Sequence, residues 1–329
     1  MRHVTGTRQH FAALRRSRAD LERFKGSMVW KEEKGTQYLV RSDYDRTTGL
    51  RRQRSLGPRT PATERLHAQF EEERRRARER MVEVERLLDR QAAVNRVVGI
   101  GRVPLAGARI IRALDGAGLL GTRIRIVGAH AVHAYEAAAG GTLEPEPGVA
   151  GDGHPIAQSR QRIGLAATGP VSEVTLLALL RTTDRSFETG RGGFRAVSRS
   201  GFAAILLKPP AGAGDAAADG PGAAGLAWLD DPPPFEAVAL DERGAPVRIV
   251  APDPRLFVVH RLWLSEQPDR SAAERTRDRA EAESVAAIVS GRFVHLPFDR
   301  QALRAVPPAL LDLAEPVFRR PIPEPLPLP

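Results

Sequence analysis

The stretch from Arg123 to Ala139 constrains this chain more than any other: Arg-Ile-Arg-Ile-Val-Gly-Ala-His-Ala-Val-His-Ala-Tyr-Glu-Ala-Ala-Ala. Residues 123–127 alternate polar and apolar and include β-branched Ile124, Ile126 and Val127, which is the pattern of a half-buried strand. Gly128 breaks that pattern. Ala129 to Ala139 contains neither Gly nor Pro, is built of helix formers, and is stopped by Gly140. A strand that turns through one glycine into a helix aims the first helical amides, and the positive end of the helix dipole, at whatever lies above the turn. That is a natural seat for a phosphate. Most such joints only connect a strand to a helix, so a function here needs support from the rest of the chain.

Upstream, residues 9–24 read as a helix, with Phe11, Leu14 and Leu21 on one face and arginines on the others. Two strands follow, Ser27–Lys31 and Gln37–Arg41, around a polar turn, and a third short run ends at Gly57-Pro58. Thr60-Pro61-Ala-Thr-Glu opens a long charged helix that runs to about Val94. A further helix from Ala106 leads into the central strand. Downstream, residues 140–155 read as loop and Glu173 to Arg181 as a helix. Phe194–Ser198 with Phe202–Leu207, and Phe235–Leu240 with Val247–Val250, read as antiparallel hairpins. The chain is helical from Pro254, and the proline-rich residues 319–329 read as a disordered tail.

There is no cysteine among the 329 residues, which excludes disulfides, thiolate metal sites and cysteine nucleophiles. No apolar run reaches the length of a membrane span and no signal-peptide core is present, so the expectation is a cytoplasmic protein without a membrane partner. The net charge of +10 is unevenly placed. Residues 1–90 hold 23 Lys and Arg against 14 Asp and Glu, and the remainder is nearly neutral. That asymmetry suits a polyanionic partner, RNA or DNA, at the N-terminal quarter. An arginine-rich composition explains it equally, since only four of the 50 basic residues are lysine.

An ordered set of segments carries a family resemblance. It comprises Lys25-Gly-Ser-Met-Val-Trp, Leu56-Gly-Pro, Val127-Gly-Ala-His-Ala, Ala134-Tyr-Glu-Ala-Ala-Ala-Gly, Phe194-Arg-Ala-Val, Phe235-Glu-Ala-Val, Pro252-Asp-Pro-Arg and His260-Arg-Leu-Trp-Leu-Ser. Together they resemble a bacterial family of predicted nucleotidyltransferases, distant members of the polymerase-β superfamily. The resemblance implies an α+β fold, a polymerase-β-type mixed sheet with flanking helices. It divides the chain into a basic N-terminal helix and β-hairpin module (residues 1–100), a core (101–252), C-terminal helices (253–318) and the tail. It also implies a nucleoside triphosphate seated on Gly128, Ala129 and His130. Two carboxylates one residue apart on the next strand, with a third on a neighbouring strand, would hold two Mg²⁺ or Mn²⁺ ions for nucleotidyl transfer to an acceptor hydroxyl.

The chain departs from this pattern at the acids. The paired positions are expected at Asp152 and His154, where only Asp152 is a carboxylate, and the third falls near Ile205 in a run without any acid. One carboxylate of three predicts weak or lost catalysis, a pseudoenzyme, with Asp152 and His154 left to hold a single metal ion. The alternative is a non-catalytic nucleotide- or nucleic-acid-binding protein. Lys208, directly after the apolar run, is expected to reach a phosphate as a point charge. His130 and His133 share a helix face, and a polar face beside the pocket explains them better than a metal pair.

Overall fold

In the computed structural model, residues 2–44, 51–140, 160–190, 193–208 and 233–319 are described. The backbone divides into two compact units, Met1–Val97 and Val98–Pro329.

The first unit contains α1 (Arg2–Glu22), β1 (Ser27–Glu33), β2 (Thr36–Tyr44), β3 (Arg51–Pro58) and α2 (Pro61–Val98). The three strands pair antiparallel in chain order. Lys34 and Gly35 join β1 to β2 with φ of 50° and 77°, a two-residue turn whose twist matches the strands it connects. Met28, Leu39 and Phe70 form a small core under this sheet. Trp30 packs against that core, with the Arg59 guanidinium 5.2 Å from its ring centre, so it is a packing residue here. Arg51, Arg52 and Arg54 lie exposed along β3.

The second unit is an α+β arrangement, as the family resemblance implies. Its helices are α3 (Leu105–Gly116), α4 (Ala129–Ala139), α5 (Glu173–Thr183), α6 (Pro254–Ser265), α7 (Ala272–Arg292) and α8 (Pro308–Phe318). Its strands are β4 (Ile124–Val127), β5 (Arg162–Ala167), β6 (Glu188–Thr189), β7 (Arg195–Val197), β8 (Ala203–Leu207), β9 (Phe235–Leu240) and β10 (Pro246–Ala251). Five strands form a mixed sheet in the order β4-β5-β8-β7-β6, and β9 and β10 form a separate hairpin. β5 runs antiparallel to β4, with Val127 opposite Gly164, and parallel to β8, with Gly164 opposite Ile205. Ile124, Ile126, Ile163 and Leu165 are fully buried and anchor the main core.

Tyr135 ties α4 into this core. Its ring meets Phe235 of β9 and Phe257 of α6 edge-on at 5.3 and 5.4 Å, and its hydroxyl donates to the Pro252 carbonyl at 3.0 Å. The start of α6 is fixed by Asp253. Its carboxylate accepts from the Arg255 amide at 2.8 Å and from the Arg255 guanidinium at 3.0 and 2.8 Å. That cap sets the direction of α6, which is buried along nearly its whole length. Among the described residues no helix is long and apolar enough to cross a membrane.

β5 is an element that sequence reading misses, as is the two-residue β6. β5 is short and rich in Ala and Gly, which carry little strand signal, and it becomes a strand because β4 and β8 pair with both of its edges.

Candidate functional site

The joint between β4 and α4 is built as its sequence dictates. Gly128 has φ 72° and ψ −156°, a backbone region that side chains disfavour, and α4 begins at the next residue. No side chain caps the helix. The amides of Ala129 and His130 therefore have no partner within the helix, while the Ala131 amide donates to the Gly128 carbonyl at 2.9 Å.

Ala129 and His130, expected beside a phosphate, are both buried in this first turn. The His130 ring is fully buried, edge-on to His133 at 6.0 Å and to Phe202 at 6.2 Å. Burial, reinforced by His133, lowers its pKa from 6.5 to about 3 against the opposing backbone of Arg162, so the ring is neutral. It rests on Gly107 of α3, where a Cβ would stand 1.9 Å from its Nε2. His133 Nδ1 lies 3.2 Å from Glu136 Oε2. Among the described residues no group of three or more His, Asp or Glu could hold a metal ion, so the two histidines form part of the packing under the turn.

Asp152 and His154 lie outside the described residues. Neither β5 nor β8 carries a carboxylate. Arg162 and Gly164 alternate with the buried Ile163 and Leu165 and so share the opposite face of β5, and Ile205 sits beside Gly164 on β8. At Gly164 a Cβ would stand 2.9 Å from Val127 Cγ2 and 3.1 Å from the Val127 carbonyl oxygen, so the position has no room for a side chain. Mg²⁺ and Mn²⁺ require several hard oxygen donors, and the described residues here do not fit them.

Lys208 is not brought to Gly128. Because β5 and β8 are parallel and β4 opposes them, Gly128 lies near Arg162 and Ala203, while Lys208 follows the far end of β8. Five residues of strand separate Ala203 from Lys208, about 16 Å. Lys208 pairs with Glu173 at 2.5 Å and lines a cleft of about 490 Å³ with Arg123, Pro170 and Ser172.

What does gather near Gly128 is arginine. Arg261, on α6, points its Nη2 to 3.4 Å from the position a Gly128 Cβ would take. It is 8% exposed. Its Nη1 bonds Asp278 Oδ1 at 2.8 Å, and its Nε lies 2.9 Å from Glu281 Oε2, both acids being on α7. Arg270 Nη2 reaches Asp278 Oδ2 at 2.5 Å. Glu281 is fully buried and accepts no hydrogen bond of good geometry among the described residues. Burial raises its pKa in spite of Arg261. Burial, and after it the charges of Arg261 and Arg277, lower the pKa of the Arg162 guanidinium. Arg261 and Arg270 thus hold two buried acids, Arg162 and Arg277 act on Glu281 by charge, and Glu274 feels Arg270 and Arg162 in turn. In the sequence Arg162 lies about 100 positions from the others, and no local pattern joins them.

A glycine turn opening a helix beside a mixed sheet leaves amides that a phosphate can occupy. A nucleotidyltransferase family model matches residues 106–307, which covers most of the second unit, and the chain belongs to that family. No curated protein and no solved structure matches the chain.

Proposed function

We propose that the second unit binds a nucleoside triphosphate at the start of α4 and that metal-dependent nucleotidyl transfer is weak or lost. Membership of the nucleotidyltransferase family supports a nucleotide as the ligand. The single observation that carries the loss of catalysis is the acid-free pair of strands next to the turn. β5 is hydrogen-bonded to the strand that precedes α4, and its positions on the site face are Arg162 and Gly164, with Ile205 beside them. The two carboxylates one residue apart, and the third across from them, have no counterpart on this face. The nucleotide phosphates would lie over the amides of Ala129 and His130, with Gly128 keeping the approach free of a side chain. Asp152 and His154 stay as the candidate metal residues in the chain, with Mg²⁺ or Mn²⁺ the ion if transfer occurs. A cytoplasmic location and contact with RNA or DNA through the exposed arginines of β3 belong to the same reading.

Calorimetric titration with each of the four nucleoside triphosphates, with and without Mg²⁺ or Mn²⁺, tests it. Binding of at least one of them, with no transfer to any hydroxyl acceptor supplied, is the expected result. Metal-dependent binding abolished by Asp152→Ala would restore a coordinating role to that residue. No binding to any of the four removes the nucleotide reading.

A further inference from the structure

A cleft of about 350 Å³ lies between the end of α7, the segment 293–298 and α8, and the nucleotide reading makes no use of it. Its lining includes Phe293, Val294, Pro297, Phe298, Phe318 and Arg319. Phe293 and Phe318 are buried, and the half-buried Phe298 ring stacks on that of Phe318 with centres 4.6 Å apart. Val294 is 85% exposed, a large apolar side chain left in water. The walls are fixed in place. The Ser290 hydroxyl donates to the Phe318 carbonyl at 3.1 Å, which ties the last turn of α8 to α7. Arg300 donates to Asp312 at 2.6 Å and to Glu315 at 2.5 Å, and Arg319 also pairs with Glu315. The Glu315 carboxylate in the lining is therefore already held by two guanidinium groups. What the cleft offers an occupant is aromatic and aliphatic surface.

Arg319 is also where the described chain leaves α8. Arg320-Pro-Ile-Pro-Glu-Pro-Leu-Pro-Leu-Pro follows it and lies outside the described residues. Proline at every second position favours polyproline II over helix or sheet. Each proline fixes its own φ, lacks an amide hydrogen, and pushes the residue before it out of the helical region. Ile322, Leu326 and Leu328 can then find no core within the segment itself. Proline-rich segments dock on aromatic-lined grooves, and the entropic cost is small because the extended form is preset. A segment joined directly to the rim of a groove meets it at an effective concentration of about 1 mM.

We propose that the cleft between α7 and α8 is a docking groove for a proline-rich segment, and that its occupant is residues 321–329 of the same chain. The segment covers the exposed faces of Val294, Pro297 and Phe298 and closes the α7–α8 corner. None of these residues belongs to the turn at Gly128, so the proposal does not depend on the nucleotide reading.

The test compares hydrogen exchange, read by mass spectrometry, in the full chain and in a chain stopped after Arg320, over a series of protein concentrations. Amides in residues 286–298 are expected to exchange about tenfold faster in the stopped chain, and those of α3 and α4 at an unchanged rate. A synthetic peptide of residues 321–329 is expected to restore protection in the stopped chain and to change little in the full chain, whose groove is taken. Replacing Leu326→Ser and Leu328→Ser together in the full chain should reproduce the effect of the stop without touching the folded body. Val294→Asp, at a side chain already in water, should do the same and should abolish the response of the stopped chain to the peptide. Equal exchange with and without the segment overturns the proposal. So does a peptide that protects the full and the stopped chain alike, which would mean a groove not filled by its own chain. Protection in the full chain that rises with protein concentration would seat the segment on a second copy and overturns it as well.

Discussion

Gly107→Ala is the substitution in which two well-measured effects oppose each other most clearly. Gly107 lies in α3, and replacing a helical glycine by alanine ordinarily stabilises by about 1 kcal/mol. Here the new methyl would stand 1.9 Å from His130 Nε2, 2.6 Å from Cδ2 and 2.9 Å from Cε1. Ordinary contact between such atoms is about 3.5–4.0 Å, so the ring would have to retreat by well over an ångström. It has nowhere to go, being fully buried with Phe202 and His133 edge-on to it. Overpacking of this kind costs about 1–3 kcal/mol, at the upper end for a rigid ring. The expected net effect is a loss of about 1–2 kcal/mol. In a His130→Ala background the ring is gone and the methyl fits the space it leaves, so the same change should stabilise by about 1 kcal/mol. Native-state hydrogen exchange of the intact chain, read by mass spectrometry on peptides from α3 and α4, reports this opening free energy without assuming that both units unfold together. The first turn of α4 carries the proposed phosphate amides, so Gly107→Ala should also weaken nucleotide binding. Equal effects of Gly107→Ala in both backgrounds, or increased protection in the wild-type background, would refute the contact.

Three further outcomes are expected. His130 has a folded-state pKa of about 3 against 6.5 unfolded, so between those values the unfolded chain binds the extra proton. Its contribution is complete above pH 6.5 and is lost by about 1.4 kcal/mol per unit as pH falls toward 3; the stability–pH slope over that window should flatten in His130→Gln. Gly128→Ala forces a side chain into φ 72°, ψ −156° and should cost about 1–3 kcal/mol by urea unfolding, together with a loss of phosphate affinity. Asp253→Ala removes the α6 cap and leaves buried Arg255 with the Pro297 carbonyl but no carboxylate. A cost of about 3–5 kcal/mol is expected, and Asp253→Asn, which keeps the cap, should cost less.

Local chemistry made part of this protein legible from its residues. The turn at Gly128 and the helix from Ala129 to Ala139 fall where glycine, helix formers and the closing Gly140 put them, because each boundary is set by residues within a few positions of it. The same holds for the β1–β2 hairpin, whose Lys34-Gly35 turn lies inside the polar segment expected to make it, and for the pairing of β7 with β8 and of β9 with β10. The acid-free run from Ala203 to Leu207 could also be read directly, and it lies beside Gly164 as strand β8.

Tertiary structure decided what the sequence by itself could not. β5 has weak strand propensity and exists because two neighbours pair with it. Its position in the sheet made Arg162 and Gly164 the residues beside the turn. Lys208 follows an apolar strand just as a phosphate-binding lysine could, but the parallel sense of β5 and β8 carries it to the opposite end of the sheet, to Glu173. Arg261 comes from α6, Asp278 and Glu281 from α7, and Arg270 from the short segment between those helices. Packing α6 against α7 buried one acid beside two arginines and left the other without a well-formed hydrogen bond. Residue spacing fixes a glycine turn, because its cause is local. A cluster of charge depends on which distant faces are pressed together and dried, and that is settled only when the whole chain has folded.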